Sequence, residues 1–158
     1  MQPVFLYRKR LTMKRPPILY LLLFLHLLLG TGALYGGWML MTDADGFGVK
    51  PEWLERSPFR SYVAPGIILF VINGVFPLFI AWGLFRKPVW HRAGLFNIYP
   101  ERHWAWTYSL FSGLGLIIWI NVQITMVPFF WLQPVFLTVG LLILIFTLWP
   151  GLMRYYQN

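Results

Sequence analysis

Four long apolar runs, none containing an Asp, Glu, Lys or Arg, constrain this chain more than anything else in it. They cover residues 18–41, 65–85, 104–127 and 131–149. Each is about 19 to 24 residues long, and a helix rising about 1.5 Å per residue needs about 20 to cross the hydrocarbon core of a bilayer. A chain with four such runs is read as an all-α, integral membrane four-helix bundle. We treat residues 1–158 as a single transmembrane domain, with an outer loop joining helices 1 and 2.

A soluble bundle with a large core is the competing reading. It would show apolar stripes with polar faces opposite them, and the runs here are apolar all round. Only 11% of the residues are charged, against about 25% in soluble domains.

Local chemistry marks the ends of the runs. Pro16-Pro17 precedes the first, and Pro65-Gly66 opens the second. Proline suits a first helical turn, where its missing N–H would have no partner anyway. Pro128 separates the third and fourth runs, which predicts a tight helical hairpin. The first run follows Arg8, Lys9, Arg10, Lys14 and Arg15 and carries small residues at Thr31 to Ala33, so it also has the outline of a signal peptide. Its apolar stretch continues to Met41, longer than the usual core of about 7–15 residues. It is therefore read as a span.

Charge sets the expected orientation. Those five basic residues precede the first run. Arg86, Lys87, Arg92 and Arg102 join the second to the third, and Arg154 follows the fourth. Only Lys50, Arg56 and Arg60 lie between the first and second runs, beside Asp43, Asp45, Glu52 and Glu55. The positive-inside rule then puts both ends in the cytoplasm, as a multi-pass protein of a cell inner membrane. Trp38, Trp53, Trp90, Trp104, Trp106, Trp131 and Trp149 fall near the expected membrane edges. The net charge of +8 follows these flanks and does not form a basic stripe on a polar fold, which argues against nucleic acid as a partner. The absence of cysteine removes disulfides, thiolate metal sites and thiol nucleophiles.

Two sets of residues inside the runs are candidates for a role. His26, Gly30, Ala33 and Gly37 recur along one face of the first helix, with Gly32 and Gly36 beside them. Ser109 and Gly113 form a similar pair on the third. Small residues let helix backbones approach closely in lipid. The face is expected to serve packing within the bundle, and a dimer seam is the alternative. The second set is polar: His26, Asn73, Asn121, Gln123 and Gln133, with Thr125. These would form a row descending from the outer side toward the core. Such groups need partners in lipid. The row reads either as inter-helix hydrogen bonding or as a site for a polar-headed ligand such as a quinone or lipid. Asn73 is expected to point into the bundle and meet His26, Asn121 or a carbonyl freed by Pro77. Asn121 and Gln123, two residues apart, cannot both point directly inward.

Two loops stand out. Asp43-Ala44-Asp45-Gly46 is a fragment of a calcium loop without its remaining ligands, and reads as a turn. Trp90, His91, Arg92, Phe96, Tyr99, Arg102 and His103 suit the headgroup layer. No catalytic constellation is visible, no metal ligand set is found, and no cofactor is implied.

The pattern Gly36-Gly37, Asp43 and Gly46, Ser57-Pro58-Phe59 and Pro65-Gly66 resembles small bacterial four-helix membrane proteins, loosely grouped with DoxX-like proteins. The resemblance implies the same four-helix layout. Some DoxX-like relatives belong to quinone-linked oxidoreductase complexes. No functional residue is carried over, and this chain lacks the intramembrane charge that a proton-coupled role would use. The expected function is a small accessory or scaffold protein, partnered by membrane lipids and by a second copy or a larger membrane complex. A lipid- or quinone-binding protein or transporter component using the Asn/Gln row is the alternative, and a membrane enzyme comes third.

Overall fold

The computed structural model describes residues 14–45 and 47–157, and within them every element is helical. Arg8, Lys9 and Arg10 of the basic segment, and Gly46 of the acidic turn, lie outside the described residues. Helix α1 spans Pro17–Thr42. A second long helix, Val63–Arg86, is built from α2 (Val63–Ile68), a π-helical stretch (Leu69–Val75) and α3 (Phe76–Arg86). Helix α4 spans Trp104–Met126, α5 spans Leu132–Thr147, and a short α6 covers Pro150–Tyr155.

Three of these helices, Pro17–Thr42, Val63–Arg86 and Trp104–Met126, are long and apolar enough to cross a membrane. Helix α5 is apolar but shorter than the 131–149 expected for it. Its 16 residues reach about 24 Å at 1.5 Å per residue, less than the roughly 30 Å of hydrocarbon. The helical path breaks at Leu148 and Trp149, and Pro150 starts the new helix α6. Proline forces that break, because it lacks the N–H that would continue the ladder.

The outward faces are apolar. Leu21, Phe24, Ile67, Val71, Ile118 and Ile145 are all exposed. That surface suits lipid and does not suit water. The protein is thus a helical bundle of the membrane type, with several apolar helices.

Helix α1 packs along the whole second helix and also against α5. Helices α4 and α5 form the hairpin expected at Pro128, and α4 meets the second helix chiefly through α3. The closest approach is between α1 and the second helix. A Cβ added at Gly37 would lie 2.7 Å from the Phe70 nitrogen and 2.8 Å from the Gly66 oxygen. One added at Gly30 would lie 2.6 Å from Leu78 and 3.0 Å from the Gly74 oxygen. Both glycines, with buried Ala33, are therefore covered by the second helix. Gly36 is buried against Leu69 and Phe47, whereas Gly32 is exposed. Gly113 meets Leu144 and Ile143 of α5, not the first helix.

The π-helical stretch has a local cause in Pro77. A proline presses its ring on the carbonyl four residues earlier, here that of Asn73, and offers no N–H to it. The backbone relieves this by widening one turn: the Phe76 N–H bonds the Val71 oxygen five residues back.

The end of the bundle where α1 begins is closed by an ordered cap. Tyr156 is fully buried and its hydroxyl donates to the Leu84 oxygen. The His103 N–H donates to the Tyr156 oxygen at 2.9 Å. Arg102 donates to the Met153 oxygen and lies over the Trp106 ring. Trp104 and Trp106, placed by the sequence at the headgroups, are instead buried, and both anchor to backbone. The Trp104 indole donates to the Pro88 oxygen and the Trp106 indole to the Thr147 oxygen. Trp38, Trp90, Trp131 and Trp149 remain exposed. So do Val89, Leu95, Phe96 and Ile98, on the loop expected to lie among the headgroups.

Candidate functional site

The polar side chains inside the bundle fall into three separate places. The first is a chain of hydrogen bonds joining three helices. His26 Nε2 lies 2.9 Å from the Ser109 hydroxyl, and that hydroxyl lies 2.7 Å from the Thr147 hydroxyl. All three residues are fully buried. The Trp106 indole on the Thr147 carbonyl extends the link to the cap, at 2.7 Å. A histidine and a serine in contact invite comparison with a nucleophile and its base. Here the serine hydroxyl is shared with Thr147, and none of the three side chains reaches solvent or lipid. The arrangement ties α1, α4 and α5 together. Its partners were hidden in sequence: Ser109 reads as a small packing residue, and Thr147 lies inside the fourth apolar run with nothing to mark it.

The second place is Asn73, at the centre of the π-helical stretch. It is 3% exposed, and its Nδ2 has no hydrogen-bond partner. His26 Nδ1 is also unpartnered. The expected meeting of Asn73 with His26, with Asn121 or with a carbonyl freed by Pro77 is not formed by that nitrogen.

The third is Gln133, in the first turn of α5. It is 2% exposed. Its Oε1 accepts from the Phe130 N–H at 3.1 Å, while its Nε2 is without a partner. Gln133 lines a cleft of about 420 Å³ at the hairpin end, together with Ile124, Thr125, Val127, Phe129 and Leu137. Arg56, from the loop that follows α1, completes the lining.

The polar row is thus reduced to His26, Asn73 and Gln133. Asn121 turns outward: it is exposed, and its amide donates to the Ile117 oxygen one turn earlier, at 2.8 Å. Gln123 is half-buried and outside the cleft, and Thr125 bonds back to Val122. The glycine and alanine face beside His26 packs α1 against the second helix and is not open to a ligand.

The loop between the second helix and α4 contributes to the cap. His103 precedes α4, and its Nδ1 accepts from the Ala105 N–H at 3.3 Å. Its other ring nitrogen lies 3.1 Å from the Pro88 oxygen. Burial holds its pKa below the ordinary histidine value, the Pro88 contact opposes that shift, and nearby Lys87 adds to it. The neutral ring is the form that can accept at the helix start. Lys87, left-handed at φ 48°, ends α3 and donates to the Tyr155 oxygen at 2.9 Å. Burial lowers its pKa as well. No group of three or more His, Cys, Asp or Glu side chains able to hold a metal occurs among the described residues. At the other end, the Phe47 N–H donates to the Asp43 oxygen at 3.1 Å and the Gly48 N–H to the Asp45 oxygen at 2.9 Å.

No family model, no curated protein and no solved structure matches the chain.

Proposed function

We propose that this protein is a small accessory or scaffold subunit of a bacterial inner membrane, with both chain termini on the cytoplasmic side. Its partner is a second copy or a larger membrane complex, and its remaining contacts are with lipid. The observation that carries this reading is the use made of the intramembrane polar groups. His26, Ser109 and Thr147 bond across three helices, and Asn73 is enclosed between helices. Polar groups placed in this way fix helix positions, at roughly 0.6 kcal/mol for each inter-helix contact. The distribution of Lys and Arg supports the orientation. The resemblance of the sequence pattern to DoxX-like membrane proteins is the ground for proposing the inner membrane of a bacterium.

Asn73→Leu tests the reading. A purely structural asparagine with an unpartnered amide should be replaceable, because an apolar group of similar volume removes the buried donor. The variant is expected to fold, to unfold within about 1 kcal/mol of the parent and to keep its assembly on size exclusion in mild detergent. A folded variant that loses its assembly, or a parent protein that runs as a lone monomer and cross-links to nothing in native membranes, would overturn the scaffold role. The cleft beside Gln133 favours a second reading, that of a protein that also binds a lipid.

A further inference from the structure

The cleft at the hairpin end has the chemistry of an anion site with an apolar wall. Three sources of positive potential meet there. Arg56 lines it and is exposed. Gln133 lines it too, almost completely buried, with an amide nitrogen that has no partner. The amide cannot simply flip to satisfy itself, because its oxygen already accepts the Phe130 N–H. Gln133 and Pro134 belong to the first turn of α5, so the positive end of that helix borders the cleft as well. The rest of the wall is apolar, from Ile124, Val127, Phe129 and Leu137.

The cleft is held open by the fold. Pro128 keeps the hairpin turn out of either helix. The loop bearing Arg56 is fastened to the turn by the Trp53 and Phe130 rings, 6.4 Å apart. Within the loop, the Ser57 hydroxyl donates to the Leu54 oxygen at 2.9 Å and accepts from the Phe59 N–H at 3.2 Å. Arg56 therefore starts from an ordered segment.

We propose that this cleft binds the phosphate of an anionic phospholipid, with an acyl chain lying along Ile124 and Leu137. A guanidinium and an amide N–H both donate to phosphate oxygens, and a bidentate fork suits them best. Free inorganic phosphate would satisfy the donors but leave the apolar wall uncovered. A zwitterionic lipid would cover the wall but bring its own cation toward Arg56. The position at the end of the apolar helices is where lipid phosphates lie. This inference needs only the membrane character of the bundle, and it stands or falls separately from the scaffold role.

The full chain, purified in neutral detergent and washed free of lipid, is offered phosphatidylglycerol or phosphatidylcholine and examined by native mass spectrometry. Phosphatidylglycerol should be retained about tenfold better, the difference expected of one charge-assisted hydrogen bond. Arg56→Gln should remove that preference. Arg92→Gln, at an exposed arginine of the opposite end, should leave it intact. Phe129→Asp, which sets a carboxylate in the cleft at an 80% exposed position, gives a second loss without touching the core. Equal retention of the two lipids, or an equal loss in the Arg56 and Arg92 variants, would overturn the proposal. So would displacement of phosphatidylglycerol by millimolar inorganic phosphate.

Discussion

Gly37→Leu is expected to prevent the bundle from forming. At this position the first and second helices touch through their backbones. A single added carbon would stand 2.7 Å from the Phe70 nitrogen and 2.8 Å from the Gly66 oxygen. Real carbon atoms do not approach backbone atoms so closely, and neither neighbour is a flexible side-chain tip that can swing aside. Gly37→Ala alone should cost about 1–3 kcal/mol, the usual range for overpacking. Leucine adds three further carbons to the same gap and should exceed that range. The measurement is reversible unfolding in mixed detergent micelles, with expression and monodispersity recorded first. Two controls separate this contact from a general dislike of larger residues in helices. A Cβ at Gly115 meets nothing within 4 Å, and at Gly32 it meets only the tip of Phe136 at 3.9 Å. Alanine at either should be tolerated. If Gly37→Leu unfolds like the parent, the two helices are not packed as described.

Tyr156→Ala is expected to cost about 3–5 kcal/mol, the range for deleting a buried aromatic ring. The residue is fully buried although only two residues follow it in the sequence. Its ring lies under the Lys87 ammonium and beside His103, its hydroxyl bonds Leu84, and its carbonyl takes the His103 N–H. Removing the ring should free the loop at 87–103 as well as α6. Trypsin should then cut that loop after Arg92, where Ala93 follows, much faster than in the parent. Tyr156→Phe keeps the ring and removes one hydrogen bond, so it should cost only about 1 kcal/mol. A Tyr156→Ala protein as stable and as resistant as the parent would mean that the cap does not hold the bundle together.

The contrast between these two sites shows what the sequence could reveal. The glycine face of the first helix was legible because small residues at helical spacing have one main use in lipid. The cap was not legible. Tyrosine, tryptophan and arginine near a membrane edge look the same whether they face headgroups or backbone, and Trp104 and Trp106 do the latter. The lengths of the first three helices could be read from charge-free runs. The end of the fourth could not, because Leu148 and Trp149 are as apolar as the helix they interrupt.

The phase of the helices was the least legible feature, and it decided the polar row. A soluble helix reveals its buried face by being polar on the other. A helix in lipid is apolar on both, so hydropathy carries no phase. Asn121 looked as able to face inward as Asn73, yet it is exposed and satisfied by its own helix through Ile117. Asn73 is carried inward on a widened turn that Pro77 provokes. The cleft at Gln133 depends on Arg56, which lies far away in sequence in a loop that read only as a connection.

The most direct test of the account is the side of the membrane on which each connection lies. The chain has no cysteine of its own, so single cysteines report without background. Lys50→Cys and Phe129→Cys lie at one end of the bundle, and Gly94→Cys and Gln157→Cys at the other. In intact cells, an impermeant maleimide should label Lys50→Cys and Phe129→Cys, while Gly94→Cys and Gln157→Cys should react only after the membrane is opened. That result places four helices across the membrane, with the Lys50 loop and the hairpin turn outside and Gly94 and Gln157 inside. Phe129→Cys is the decisive position, because α5 is the one long helix short of a full span. If it labels together with Gly94→Cys and apart from Lys50→Cys, then α4 and α5 do not cross the membrane as a hairpin, and the four-span bundle is wrong.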